Sequence, residues 1–242
     1  SLLIAGCGTG QHAIESSMNF KNSNVMAIDI SLRSLSYAKR KTREFGITNL
    51  KYAHADILEL AEMEQKFDVI ECMGVLHHLE DPLMGLAALE KVLRPAGLIK
   101  IGLYSKLARK NISRLRARYK GFSEVPSKSD MLSIRREIIL SEEEDIKVLH
   151  KSLDFYSLSA LKDLIFHVKE HNFDALELKQ ILNKMGLTFF GFVFENPLVI
   201  PLFKEEFPKE KSELDLENWN EFEINNPSVF ANMYQFWCQK NT

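Results

Sequence analysis

Three glycines at alternate positions, Gly6, Gly8 and Gly10, close a short apolar run, Leu2-Leu3-Ile4-Ala5, and precede a stretch of helical character from about His12 to Phe20. Glycine admits positive φ and lets a ligand approach the main chain, and a helix starting there offers N–H groups without partners inside the helix. A tight turn alone would explain the triplet equally well. Two acids downstream favour a ligand. Asp29 ends a second apolar run, Val25-Met26-Ala27-Ile28, and Asp56 follows a third from Leu50 to Ala53. A short carboxylate at a strand end can accept both hydroxyls of a ribose; a second one beside it can accept an amino hydrogen from an adenine ring. Taken singly, each acid is also a good helix cap or turn residue, and for Asp56 alone that is the better reading. Behind a glycine loop, the pair describes a nucleoside pocket.

Spacing narrows the ligand. A dinucleotide fingerprint, G-x-G-x-x-G, needs a third glycine where this chain has Gln11. Gly10 comes one residue early, which shapes the loop for an amino-acid tail rather than a pyrophosphate and disfavours an NAD-dependent oxidoreductase. No G-K-[ST] is present, so a P-loop is excluded. Past a fourth run, Phe67 to Cys72, stand His77 and His78. Imidazole titrates near neutrality, so either is a candidate base; capping or packing at the next helix is the alternative, and the two stay open. His12 is read as a helix-start residue. His167 and His171, four apart, would share a helix face. Val168-Lys169-Glu170 between them do not make H-E-x-x-H and no third ligand is evident, so they are read as surface or lid histidines and no metal site is expected.

The elements that must position these groups alternate. Apolar runs at 2–5, 25–29, 50–53, 67–72 and 98–104 read as strands; helical stretches separate them, the last from about Pro82 to Leu93 before a Pro95/Gly97 turn. Strands and helices alternating at this pitch imply right-handed crossovers and a doubly wound, mostly parallel α/β sheet. From 106 to 172 no convincing strand occurs. A basic helix over about 106 to 120, a mixed-charge helix near 130 to 150 and a shorter one from Ser157 to His167 are expected instead. Alternation resumes with a helix from Asp174 to Met185 and a strand from Leu187 to Glu195. A second excursion with four prolines spans 196 to 230, and a final strand Met233 to Cys238 brings the expected total to seven.

The 242 residues are 45% apolar and 26% charged with a net charge of −2, a globular composition that excludes disordered and collagen-like classes. No run approaches the ~18 apolar residues of a membrane span. Three widely spaced cysteines, Cys7, Cys72 and Cys238, make no CxxC pair and point to a reducing, cytoplasmic setting. Lys106, Arg109, Lys110, Arg114, Arg116, Arg118 and Lys120 follow one another without an acid between them. With only Tyr119 as an interleaved aromatic, the run is read as a solvated face pairing with Glu142, Glu143, Glu144 and Asp145 rather than as a nucleic-acid site.

Taken together, these motifs resemble the class I S-adenosylmethionine-dependent methyltransferases. Leu3-Ile4-Ala5-Gly6-Cys7-Gly8-Thr9-Gly10 is similar to their first motif, Ala27-Ile28-Asp29-Ile30-Ser31 to the acid after the second strand, and Ala55-Asp56-Ile57 to the adenine-side acid. The run from Phe67 to Leu79 is similar to their fourth-strand motif, and Leu93-Arg94-Pro95-Ala96-Gly97 to the turn before strand five. Asp154-Phe155-Tyr156-Ser157-Leu158-Ser159 and Tyr234-Gln235-Phe236-Trp237 further resemble a bacterial subgroup in which such a domain often follows tetratricopeptide repeats. The resemblance implies a seven-stranded Rossmann-like methyltransferase sheet with a helical insertion after strand five. It implies one domain over 1–242: a cofactor half at 1–104, the insertion or lid at 105–172, and the remaining helix and strands at 173–242. Because the first residue is not Met and the chain opens inside an apolar run, it is expected to be a piece of a longer chain.

S-adenosyl-L-methionine is the implied cofactor. Gly6, Cys7, Gly8 and Gly10 would wrap its methionine tail, Asp29 would hold the ribose with Ile30 against the adenine face, and Asp56 and Ile57 would take the adenine edge. Cys72 and Met73 would lie beneath the sulfonium, with His77, His78 and Tyr156 on the acceptor side. The family usually carries an acid two residues before the first glycine; this chain has Ile4, so the amino group of the tail must find another partner. The expected activity is in-line methyl transfer to an unassigned acceptor, small molecule or protein. The alternative is a non-catalytic S-adenosylmethionine-binding module of a repeat-containing scaffold.

Overall fold

The structure is a computed structural model that describes residues 1–119, 127–147, 155–166, 170–230 and 233–242. Strand β1 (Leu2–Ala5) is buried on both faces. Leu2 and Ile4 pack on one side of the sheet with Ala13, Ile14 and Leu35; Leu3 and Ala5 pack on the other with Ile28, Ile70 and Leu86. This is why its sequence is a continuous apolar run rather than an alternation. Helix α1 (Gln11–Asn19) leads to β2 (Val25–Asp29), and α2 (Leu32–Glu44) to β3 (Leu50–His54). Ser31 caps α2 by accepting the Ser34 N–H. A 3-10 turn at Ile57–Glu62 precedes β4 (Phe67–Met73), and another at Leu76–His78 precedes α3 (Pro82–Val92). Asp81 caps α3 and Pro82 takes the first helical position, where a missing N–H costs nothing.

Beyond α3 the chain runs through β5 (Leu93–Tyr104), α4 (Lys110–Arg118), α5 (Lys128–Leu140), α6 (Glu144–Lys147), α7 (Leu158–Phe166) and α8 (Ala175–Lys184). It ends with β6 (Leu187–Phe192), α9 (Val199–Glu206), α10 (Leu216–Asn225) and β7 (Met233–Lys240). The strands form one seven-stranded sheet in the order β3-β2-β1-β4-β5-β7-β6, parallel through β5, with β7 antiparallel to both its neighbours. The doubly wound, mostly parallel sheet expected from the sequence is present. Its order reverses between β1 and β4, the place where doubly wound sheets bind ligands beyond the strand ends.

Several boundaries differ from the sequence reading. Strand β5 begins at Leu93, which pairs with Phe67; the register then shifts, and Arg94–Gly97 form a bulge in which Ala96 adopts φ +57° where a separate turn was expected. The helix expected from 106 starts at Lys110, because Ser105 first folds the chain into a turn, its Oγ accepting the Ala108 N–H. The expected 130–150 helix breaks at Leu140, and the proline-marked excursion contains α9 and α10.

Helices α4 to α7 share an apolar cluster of their own, built from Ile112, Leu115, Ile134, Ile138, Phe155, Leu161 and neighbours. The chain leaves and rejoins the sheet at one place. Ser105 bridges Phe173, the Phe173 N–H donates to the Tyr104 carbonyl, and the Lys106 N–H donates to the Phe173 carbonyl.

Candidate functional site

The glycine loop stands at the reversal of strand order, directly after β1. Gly6, Gly8 and Gly10 all have left-handed φ, +76°, +52° and +89°, which a side chain would oppose by about 1–2 kcal/mol each. Gly6 and Cys7 both donate to the Ile28 carbonyl at 2.9 Å, and Gly10 donates to Cys7 at 2.9 Å, so the loop is anchored to β2 and closed on itself. The three glycines answer different needs. A Cβ on Gly6 would stand 2.3 Å from Val75 Cγ2, and one on Gly10 would stand 2.5 Å from Ala38 Cβ and 3.0 Å from the Tyr52 hydroxyl. These two permit close packing. A Cβ on Gly8 would meet nothing within 4 Å, so the middle glycine faces open space.

Asp29 borders that space. Its Oδ2 accepts the Gly8 N–H at 2.7 Å and its Oδ1 accepts the Ser31 N–H at 2.8 Å. Two main-chain donors fix the carboxylate, and each oxygen keeps a further lone pair for a hydroxyl. Ile30, next to it, is 68% exposed and offers an apolar surface beside that carboxylate. The Ala55 N–H donates to the Asp29 carbonyl at 3.3 Å, which sets the tip of β3 against that of β2. Asp56, just beyond, caps the following turn, its Oδ1 accepting the Leu58 N–H at 2.9 Å, so its capping role is realised. Ile57 is buried in the core with Ile28 and Leu60, and its side chain shapes the turn from beneath.

Cys7 and Cys72 are both buried thiols pushed up to about 12, by burial in each case and at Cys7 also by the charge of Asp29. Met73 ends β4; its Cε and the Met233 Sδ each lie 2.9 Å from where a Cβ on Gly102 would stand, so two thioethers flank a small residue where β4, β5 and β7 meet. An open space over Gly8, a hydroxyl-accepting acid and an apolar shelf beside it fit an adenosyl amino acid.

On the acceptor side, His77 has no solvent exposure. Its ring stacks on Tyr104 with centroids 3.7 Å apart, and its carbonyl accepts the His171 N–H at 2.9 Å. The partly exposed His78 meets the His77 ring edge-on at 4.3 Å. Of the two alternatives, His77 takes the packing one in this conformation. Tyr156 is exposed on the insertion, its ring edge-on to the buried Phe155. His171 is not helical, so the shared helix face expected with His167 is not present there; His167, Lys120 and Asp154 lie outside the described residues. Among the described residues, no group of three or more His, Cys, Asp or Glu could hold a metal ion.

The basic run is not a uniformly solvated face. Arg118 does pair with Glu143 at 2.9 Å, but Arg109 is buried and grips Glu170 with two hydrogen bonds, at 3.1 and 2.5 Å. Arg116 joins the same carboxylate at 2.9 Å, and the Arg109 guanidinium lies 3.8 Å from the centre of the Tyr104 ring. Another group absent from the sequence reading sits under the glycine loop. Glu71 on β4, 5% exposed, accepts from Ser16 Oγ at 2.6 Å and meets His12 Nε2 at 2.7 Å. An acid inside an apolar strand was its visible signal, since carboxylates are almost never fully buried without partners.

Residues 2–97 match the family model described as methyltransferase domain. An uncharacterized protein of Synechococcus sp. is 30% identical over 200 residues, covering 79% of this chain and 48% of that protein. The ubiquinone biosynthesis O-methyltransferase of Hahella chejuensis is 37% identical over 95 residues, 39% of each. Among solved structures, that of PKMT2 from Rickettsia typhi in complex with AdoHcy superposes with a TM-score of 0.70 at 17% identity, covering 100% of this chain and 49% of that one. The chain thus spans about half the length of the first of these relatives and of this structure. With the glycine loop, Asp29 and the sheet order in place, residues 2–97 are similar in sequence to a methyltransferase domain, and the chain shares its fold with PKMT2.

Proposed function

We propose that the domain transfers a methyl group by in-line displacement to a nucleophile received above the tips of β4 and β5, where Met73 ends β4 and the His78 ring meets Tyr104 edge-on. The observation that carries the proposal is the open space over Gly8, bordered by a carboxylate that two main-chain donors hold still. S-adenosylmethionine, when bound, supplies a methyl already activated on a sulfonium. The protein's part is therefore to align reactants, with proton removal added only where the acceptor needs it. Asp29 orients the ribose and Ile30 lies along the adenine. Asp56, already capping its turn through one oxygen, has the second for the adenine edge. Met73 and Met233 provide an apolar wall at the reacting end. His78 is the candidate base, because it keeps exposure where His77 does not. The acceptor is a small molecule or a protein side chain; the three unpaired, buried cysteines suit a reducing cytoplasm.

Calorimetry with S-adenosylmethionine, S-adenosylhomocysteine and NAD tests the cofactor assignment. Binding of the first two and not the third is expected, and Asp29→Ala should abolish it. Normal affinity in that variant would remove Asp29 from the ribose. A mass-shift screen of cell extract then separates turnover from binding alone, and tight binding with no methylated product in any fraction would favour the non-catalytic module.

A further inference from the structure

The amino-acid tail of the cofactor carries two charges, and the loop answers only one. Free N–H groups at the start of α1 suit a carboxylate, whereas an ammonium needs an acceptor, best a carboxylate. Among the described residues, three acids have contacts with the loop or the first turns of α1. Glu15 lies on an exposed face and pairs with Gln11. Asp29 holds the Gly8 and Ser31 N–H groups at the ribose end. The third is Glu71.

Glu71 is in register with Ile4 across the β1–β4 pair, and residues paired in this way share a face of the sheet and stand about 5 Å apart. Ile4 is two residues before Gly6. On the same face the Glu71 carboxylate reaches His12, two residues past Gly10, and Ser16 one turn further along α1. Both ends of the loop thus bracket this buried acid. Burial pushes its pKa up, but the hydrogen bonds from His12 and Ser16 together with the charges of His12 and Lys100 outweigh this and hold it below the usual glutamate range, so it is a carboxylate at neutral pH. Both of these hydrogen bonds fall on Oε2, which leaves Oε1 for a further donor.

We infer that Glu71 is a cofactor-binding residue that receives the α-ammonium group of the tail, with His12 and Ser16 holding it in position. The inference rests on the cofactor assignment above and adds a residue that the glycine motif does not contain. The charge enters from the neighbouring strand, at the level where β1 offers only Ile4.

Glu71→Gln keeps shape and hydrogen-bonding capacity while removing the charge. Calorimetry of wild type and variant is read with three probes: S-adenosylhomocysteine, its deaminated analogue, and 5′-methylthioadenosine, which lacks the tail. S-adenosylhomocysteine is expected to weaken about 10- to 100-fold, the loss of one charge-assisted hydrogen bond. The deaminated analogue and 5′-methylthioadenosine should change less than about twofold. Equal weakening of all three would show a structural role and overturn the inference, as would no change in any. If the wild type binds none of the probes, the cofactor assignment itself fails and takes the inference with it. Should the amide variant not fold, Glu71→Asp keeps the charge but withdraws it by one methylene; the same selective loss is expected, and a loss common to all three probes again overturns the inference.

Discussion

A single methyl group distinguishes the three glycines of the loop. Gly8→Ala meets no neighbour and should cost only the about 1–2 kcal/mol of a left-handed residue, while lowering cofactor affinity through the space it occupies; thermal unfolding with calorimetry separates the two effects. Gly6→Ala adds a clash with Val75 and should cost a further 1–3 kcal/mol, roughly the scale of overpacking. Pairing it with Val75→Ala should recover the clash but not the backbone cost, a coupling that a double-mutant cycle reads directly. If Gly6→Ala and Gly8→Ala unfold at the same denaturant concentration, the division of labour is wrong. The bend at the glycines and the place of Asp29 beside it were legible in the sequence, because residue type at a strand end nearly dictates both. An acid inside an apolar strand marked Glu71 out, but that it lies beside Ile4 on another strand is a pairing only the fold supplies.

Between elements, the buried junction of Arg109, Glu170 and Arg116 joins the insertion to the sheet beside Tyr104. The positive charges of α4 and the turn before it could be read off the chain, but not that Arg109 and Arg116 both turn inward to Glu170, far along the chain. Breaking such a pair strands a guanidinium out of water. Glu170→Ala should therefore destabilise by about 3–5 kcal/mol. Because helices α4 to α7 have an apolar cluster separate from that of the sheet, hydrogen exchange should rise first in α4 and α7 and last in β1 and β4. Uniform acceleration over the chain would show that the pair stabilises the whole molecule and not the junction. Sequence reading placed the helices here to within a few residues yet overran their ends, because a polar turn such as Ser141–Glu143 interrupts a helix without proline or glycine.

At the scale of the molecule, Glu223 on α10 accepts hydrogen bonds from Ser105 at the end of β5 and from Tyr234 on β7, joining parts of the chain up to 118 residues apart. Burial raises its pKa above the ordinary 4.5, against the opposing effect of the two hydroxyl donors. As pH rises past about 4.5 the unfolded chain releases this proton while the folded one keeps it, so the group's contribution to stability declines until the folded pKa is passed. Glu223→Gln lacks that decline. Its stability relative to wild type should improve between pH 4 and pH 7, measured by chemical denaturation at both; a constant difference would mean that the pKa is not raised. The architecture as a whole was the most legible level, because alternating runs of the right length permit few topologies. The bulge in β5 was not, since it depends on how Phe67 and Leu93 pair.

The sheet order carries a consequence for how the molecule is made. Strand β7 comes after β6 in the chain but lies between β5 and β6. As the polypeptide emerges from the ribosome, the five parallel strands can assemble in sequence, whereas β6 has nothing to join until its later neighbour arrives. Until then both flanks show bare edges of the kind that invite association with other chains. Residues 233–240 act as a keystone, and shortening the chain within them would release two strands from the sheet at once.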